Sequence, residues 1–563
     1  MKEDWFIAGK YKQFTAVDLK DRTWVNNRIS KAPLWCAVDL RDGNQAIYNP
    51  MTKEKKRIFF NKLLEIGFKA IEVGFPSASQ TEFDFARMLI DEKMIPDDVS
   101  IQVLVQARKH LVDRTFEALD GAKNVTIHLY NSTSPAQRRD VFMKEKPEII
   151  DIATSGTQMI IDSMKNFSGN VQFEYSPESF SLTELDFSAQ ISNAVIDVWD
   201  PKVRGKMILN LPTTVECALP NVYADQIEWM CKNINQRENV LVSLHTHNDR
   251  GTGVASTELG LLAGADRVEG TLFGNGERTG NADILTIALN MFSQGVHPQL
   301  DFSDVDSIRE IYEKCTEMKI YPRQPYAGDM VFTAFSGSHQ DAIAKGMKLR
   351  KRENRLLWDV PYLPIDPKDV GRDYEAIVVI NSQSGKGGAS FILEHYGGFN
   401  VPKPMQVEVG RIVQREADEL KRVLENDEII SLFKKEFVNR EDKVSLLSMT
   451  PKRDKKDEDG KENISLEARL KIDEKEIIAH DKGDGVINAL SKIFAKNGFT
   501  FHLGTYEEHA MSEGSAATAA AYISIETCDG KTYFGAGVDT DILWASANAL
   551  CSAVNRAFQQ DNS

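Results

Sequence analysis

VLVSLHTHNDRGTG, residues 240–253, sets an apolar run against a burst of polar side chains that ends in a glycine-bearing loop. Side chains two apart on a strand point to the same face, so His245 and His247 would leave the strand's end side by side. The residues just beyond, ASTELGLLAGA (255–265), have helical apolar spacing. Strand, polar loop and helix make one unit, and the fold class turns on how often that unit recurs.

It recurs through the first half of the chain. Short apolar runs with polar or glycine-rich ends occur at LWCAVDL (34–40), AIEVGFP (70–76), IQVLVQA (101–107), NVTIHLY (124–130), VQFEYSPE (171–178) and MILNLPTT (207–214), and again at 240–249 and at RVEGTLFGNGE (267–277). Segments with helical spacing, such as KEKKRIFFNKLLEIGF (53–68), lie between them. Eight strand–helix units in roughly 250 residues are the size and order of an α/β (β/α)8 TIM barrel. An open doubly wound sheet is the alternative, disfavoured by the count and by the lack of GxGxxG after the first strand.

At 563 residues the chain exceeds the usual domain size several-fold. We expect an N-terminal extension and barrel over 1–320, a linker region over 321–429 and a separate small α/β domain over 430–563. The linker reads as helices broken by the ordered loops YPRQPYAGD (321–329), WDVPYLPIDP (358–367) and NSQSGKGG (381–388). The last domain carries a weak internal repeat. ARLKID (468–473), a turn, IIAH and the helical VINALSKIF (486–494) answer to AYISIE (521–526), a turn, TYFGAGV and the helical ILWASANALCSAVNRAF (542–558), so each half reads as strand, turn, strand, helix. The charged run PKRDKKDEDGKE (451–462) reads as a solvated loop.

With 68 basic and 83 acidic residues the net charge is −15, which gives no footing for a nucleic-acid footprint. The six cysteines are dispersed without a CxxC pair, as in a reducing compartment. The N-terminus has no signal-like apolar run and no stretch is long enough to span a membrane. The expectation is a cytoplasmic protein whose partners are small molecules and other chains.

Barrel chemistry sits at the carboxyl ends of the strands. Asp42 after the first strand, with His245 and His247 at the seventh, offers one carboxylate and two imidazoles, a facial set for a divalent transition ion with open positions for substrate. Asn281, after the eighth strand, could add a weak oxygen ligand. Metal-dependent amide hydrolases on barrels also use an HxH pair, but it is expected at strand one, where this chain has RDG. His128 alone is as readily a hydrogen-bonded core histidine as a functional one.

DLRDGNQ (39–45), HTHNDRGTG (245–253), GNGERTGN (274–281), EYSPE (174–178), LPTTVE (211–216), GSHQDAI (337–343) and VPYLPIDP (360–367) together resemble the α-isopropylmalate synthase family of acyl-CoA-condensing metalloenzymes. The resemblance runs from about residue 33 to the C-terminus. It implies a Claisen condensation of acetyl-CoA with 2-oxoisovalerate, followed by thioester hydrolysis, at a site holding Zn, Mg or Mn. Homocitrate and citramalate synthases and metal-dependent lyases of the same superfamily are the near alternatives. Arg41, beside Asp42, is placed to stabilise the alkoxide or enolate.

The resemblance further implies proton chemistry by Glu178, His339 and Tyr362, the last two reaching the active site of a second subunit. It implies substrate contacts from His128, Ser176 and Thr214, although a threonine there can equally cap a turn. The glycines of GNGERTGN fit either close approach to a thioester or pyrophosphate or a tight barrel turn. Residues 430–563 resemble the family's regulatory domain, implying a homodimer inhibited by leucine bound near the small-residue loops GSAATAAA (514–521) and GAGVDTDILWASANA (535–549). A dimerisation module alone is the plainer alternative.

Overall fold

The computed structural model describes residues 14, 16–334, 336–374, 387–420, 422, 424–453, 463–511 and 518–558. Eight parallel strands close into a barrel in sequence order: β1 (Leu34–Ala37), β2 (Ala70–Gly74), β3 (Ser100–Gln106), β4 (Asn124–Ser132), β5 (Asn170–Glu178), β6 (Met207–Thr213), β7 (Val240–Thr246) and β8 (Arg267–Gly270). This is the (β/α)8 barrel. The helix Lys53–Ile66 shows how each unit closes: the Thr52 side chain accepts from the amide of Lys55, Phe59, Phe60 and Leu63 are buried, and Gly67 ends it in the left-handed region. Before the barrel, Arg22 and the Trp24 indole donate to Asp225, while Thr23 donates to Glu228, tying the extension to the helix Pro220–Asn233.

The contact pattern divides the chain into one unit of residues 1–332 with 365–373 and another of 333–364 with 374–563. In the second unit, β9 (Val444–Arg453), β10 (Ile464–Ile472) and β11 (Lys475–Gly483) form an antiparallel sheet followed by the helix Val486–Lys496. The strands β12 (Phe501–Ala510), β13 (Ala519–Thr527) and β14 (Thr532–Asp539) repeat the pattern before the helix Ile542–Ala557. Each half therefore has three strands, one more than the sequence reading gave it. The extra strands, β9 and β12, expose most of their side chains and show no apolar alternation for a reader to find.

In this second sheet β13 and β14 are buried on both faces. Ala521, Ile523 and Ile525 pack with Ala545, Ala549 and Ala553 of the final helix, whereas Ala520, Tyr522, Phe534 and Ala536 pack with Met405, Val409, Ile429 and Phe433 of the preceding helices. Two sequence expectations are corrected here. The stretch beginning at Gly535 opens within β14 and continues into the final helix rather than forming an open loop: a Cβ on Gly537 would lie 1.9 Å from the Ala545 carbonyl oxygen. Its small residues let strand and helix meet backbone to backbone. The charged run begins on β9, with Pro451–Arg453 paired to β10, and its remainder, like 381–386 and 514–517, lies outside the described residues.

No helix among the described residues is long and apolar enough to cross a membrane.

Candidate active site

The chain leaves β1 through a short π-helical turn, Asp39–Gly43, which aims Asp42 across the barrel mouth. Asp42 Oδ1 accepts from Arg41 Nη1 and from Gln45 Nε2, both at 2.8 Å. Its Oδ2 faces His245 Nε2 at 3.3 Å and His247 Nε2 at 3.5 Å, and accepts from Asn281 Nδ2 at 2.8 Å. The far nitrogens are engaged behind: His247 Nδ1 donates to the Thr213 carbonyl at 3.0 Å and His245 Nδ1 to Glu269 Oε2 at 2.8 Å. Both imidazoles therefore present Nε2 to Asp42.

The ligand atoms of Asp42, His245 and His247, all three buried, lie within 4.8 Å of one another. Asn281 Oδ1 is buried without a partner. One carboxylate, two imidazole nitrogens and a spare amide oxygen fit a divalent ion of the transition series. The glycines of GNGERTGN serve the turn that delivers Asn281. Gly276 and Gly280 have φ of +157° and +102°, and a Cβ on Gly276 would lie 2.1 Å from Asn281 Nδ2.

A cavity of about 320 Å³ opens beside this cluster, lined by Arg41, Asp42, His245 and His247 together with His128, Ser176, Glu178 and Thr214. Leu104, Tyr130 and Pro212 supply most of an apolar wall. Ser176 Oγ meets His128 Nε2 at 2.7 Å and Asn210 Nδ2 at 2.9 Å. The Thr214 hydroxyl accepts from the Ser179 amide at 2.8 Å, a bond from the loop after β6 to the loop after β5 rather than a cap on its own turn, and as a hydroxyl it keeps a proton to donate. Glu178 Oε2 accepts from the Ser132 hydroxyl. Arg278 donates to Asp249 Oδ1 and to the Thr214 carbonyl, each at 2.6 Å, which staples the loops after β6, β7 and β8.

His339 and Tyr362 belong to the second unit. They stack, with ring centroids 4.0 Å apart.

Below the mouth, the parallel register sets Glu72 beside Gln102, His128 beside Glu174 and His245 beside Glu269. Glu72 accepts from Arg41 Nε at 2.5 Å and from His128 Nδ1 at 2.9 Å. Arg267 Nη1 lies 2.8 Å from Glu269 and 3.4 Å from Glu174, so the grouping of His128, Glu174 and Glu269 already contains a cation. Burial, then Glu269 close by, pushes the Glu174 carboxyl above the usual carboxylate range. Burial would also raise Asp42, but Arg41 and the two imidazoles hold it well below the usual carboxylate range. For His245, burial opposes the charge, yet the bonds to Asp42 and Glu269 prevail and raise it to about 10. The mouth is thus built to hold positive charge.

The sequence reading passed over Glu72, Gln102, Asn210, Arg267 and Glu269, and noted Glu174 at the end of the fifth strand without giving it a role. The signal was present: parallel barrel strands are buried on both faces and should read as apolar, and these residues interrupt them.

Three comparisons bear on this arrangement. The HMGL-like family model matches residues 32–311, a model described as alpha-isopropylmalate synthase, post-catalytic domain-like, matches 329–394, and one for the LeuA allosteric (dimerisation) domain matches 423–558. The chain is 52% identical over 556 residues to the 2-isopropylmalate synthase of Agrobacterium fabrum, covering 98% of each chain. It is 50% identical over 552 residues to the enzyme of the same name from Pseudomonas entomophila, covering 98% of this chain and 97% of that one. Among solved structures, the hydroxymethylglutaryl-CoA lyase of Pseudomonas aeruginosa aligns with a TM-score of 0.42 at 17% identity, over 51% of this chain and 93% of the lyase.

Proposed function

Because the chain belongs to the 2-isopropylmalate synthase family, we propose that it condenses acetyl-CoA with 2-oxoisovalerate and hydrolyses the thioester to release 2-isopropylmalate and free CoA. The observation that carries this reading is the single cavity in which Arg41, Asp42, His245 and His247 meet Ser176, Thr214 and an apolar wall. It has charge for a 2-oxo acid's carboxylate and keto group, and apolar surface for a small branched tail.

A divalent ion held by Asp42, His245 and His247, with the Asn281 amide oxygen as a fourth ligand, would supply Lewis-acid polarisation of the keto group when bound. The Arg41 guanidinium, its Nε fixed by Glu72 and one Nη by Asp42, turns its remaining donors to the keto oxygen as negative charge grows there. The Thr214 hydroxyl hydrogen-bonds the substrate carboxylate, while Ser176 and His128 line the pocket for the branched tail. Glu178, His339 and Tyr362 carry the proton traffic: the acetyl methyl loses a proton, a carbon–carbon bond forms at the keto carbon, the alkoxide is protonated, and water cleaves the thioester. His339 and Tyr362 act on the barrel of a second subunit in a homodimer.

This would be the first committed step of leucine biosynthesis, carried out in the cytoplasm, with leucine binding the repeated domain at 430–563 and inhibiting the barrel at a distance. The match of residues 423–558 to the LeuA allosteric (dimerisation) domain supports that part. Two sites and a coupling free energy of typically about 1–3 kcal/mol are required. The direct test is free-thiol release with 2-oxoisovalerate, pyruvate and 2-oxoglutarate in parallel, with and without leucine. Clear preference for 2-oxoisovalerate and inhibition by leucine are expected, and preference for either other acid would reassign the substrate.

A further inference from the structure

The two histidines at the cavity mouth present the same nitrogen to Asp42 but are held from behind by different groups. His247 Nδ1 meets a neutral carbonyl, that of Thr213, whereas His245 Nδ1 meets the carboxylate of Glu269. Taking the metal site of the preceding section as given, we propose that Glu269 is a positioning residue for metal capture: it locks His245 with its proton on Nδ1 and its Nε2 lone pair toward the ion.

Glu269 is fully buried. Its Oε1 accepts from Arg267 Nη1 at 2.8 Å and Gln102 Nε2 at 2.7 Å, and its Oε2 accepts from His245 Nδ1 at 2.8 Å and Asn210 Nδ2 at 3.2 Å. Four donors from four strands occupy the carboxylate's acceptor positions, so the group has no second orientation to adopt. Gln102 is fixed in turn, since its Oε1 accepts from Arg267 Nη2 at 2.8 Å while its Nε2 also reaches Glu72 Oε1 at 3.2 Å. Glu72 is the carboxylate that holds Arg41 Nε. One frame of buried bonds thus sets both an imidazole meant for the ion and the guanidinium meant for the substrate. A hydrogen-bonded carboxylate behind a ligating histidine fixes its tautomer and ring orientation, and losing it typically costs 10- to 100-fold in metal affinity.

The plainer role for Glu269 is to neutralise Arg267, and two variants separate the roles. Glu269→Asp keeps the charge but withdraws the carboxylate from His245. Arg267→Met/Glu269→Gln removes both charges and leaves no carboxylate for His245. Mn(II) binding to the metal-stripped full chain, read from the free-ion EPR signal, is expected to weaken at least tenfold in both variants while thermal unfolding stays cooperative. In the Co(II)-loaded protein, the exchangeable Nδ1–H protons of the two ligating imidazoles should give separate paramagnetically shifted resonances. One should shift or vanish in Glu269→Asp, leaving the other in place.

Either folded variant binding Mn(II) within threefold of wild type, or both resonances persisting unchanged, overturns the proposal. Asp42→Ala is the control for the underlying reading. If it too binds Mn(II) like wild type, the metal assignment fails; if it alone loses binding, only the role of Glu269 does.

Discussion

The imidazole of His339 lies over the ring of Tyr362, centroids 4.0 Å apart and planes 26° from parallel. Twenty-odd residues separate them along the chain, and the pairing is made by the segment 333–364 itself. Tyr362 is exposed and sits at a φ of +64°, a conformation that costs a non-glycine residue on the order of 1 kcal/mol and recurs at functional sites. A ring held out to solvent on a strained backbone is poorly explained by packing. Tyr362→Phe should keep the stack and lose the hydroxyl. We expect kcat to fall at least tenfold with KM for 2-oxoisovalerate nearly unchanged, the signature of a group engaged in the transition state. A rise in KM alone would assign it to binding.

If those two residues serve a second subunit, mixing inactive Asp42→Ala with inactive His339→Ala should rebuild intact sites in exchanged heterodimers. Recovered thiol release after subunit exchange is the expected result. No recovery, with exchange verified by mass, would mean that each segment serves its own barrel.

Arg41→Lys should fail badly although charge is kept. Arg41 bonds Glu72 through Nε and Asp42 through Nη1 at once, and an ammonium cannot reproduce that fork while facing the cavity. A loss of about 10²-fold or more in kcat is the expected size for an electrostatic stabiliser of this kind. A loss below about tenfold would reduce Arg41 to scaffold.

Gly537 should tolerate no side chain. A Cβ there would lie 1.9 Å from the Ala545 carbonyl oxygen and 2.5 Å from the Ala549 amide, so Gly537→Ala must push the final helix off β14. Overpacking of this kind costs roughly 1–3 kcal/mol or more, and it should appear as a lowered unfolding temperature of the second unit. A truncation near Glu428 is a poor probe of leucine sensitivity for a related reason. It cuts the helix Asn426–Phe437 and strips Tyr522 and Phe534 from the core that covers Met405 and Val409, so aggregation is expected.

Glu228 anchors the N-terminal extension. Burial would raise its carboxyl, but the bonds from Thr23, Lys232 and Trp24 prevail and lower it from 4.5 to about 2. A depressed carboxyl contributes stability above its unfolded value that is lost as pH falls through the folded one. The unfolding-temperature gap between wild type and Glu228→Gln should therefore be full at pH 6 and close as pH falls from about 4.5 toward 2. A gap unchanged across that range would show that charge plays no part in the anchor.

The barrel was legible because each of its strands ends abruptly in polar residues and is followed by a helix with clear apolar spacing. The strands β9 and β12 were not, because exposed residues such as Thr450, Lys452, Tyr506 and Glu508 leave no period to read. The pair His245 and His247, and Asp42 as their partner, could be read from spacing and strand order. The frame behind them could not: Glu72 on β2, Gln102 on β3 and the pair Arg267 and Glu269 on β8 are far apart in sequence, and only the register of closed parallel strands brings them together. Sequence reading took the small-residue stretch GAGVDTDILWASANA (535–549) for a loop, because small residues mark both a loop and a strand pressed against a helix.

A divalent ion held by Asp42, His245 and His247 is proposed to be required for carbon–carbon bond formation. The most direct test is CoA thiol release from acetyl-CoA and 2-oxoisovalerate by metal-stripped enzyme, with Zn, Mn or Mg returned in turn. The expected result is no turnover without metal, recovery with at least one ion in wild type, and no recovery by any ion in Asp42→Ala or His245→Ala. Full turnover by the stripped enzyme, or near-normal activity in either variant at ordinary metal concentration, would contradict the account.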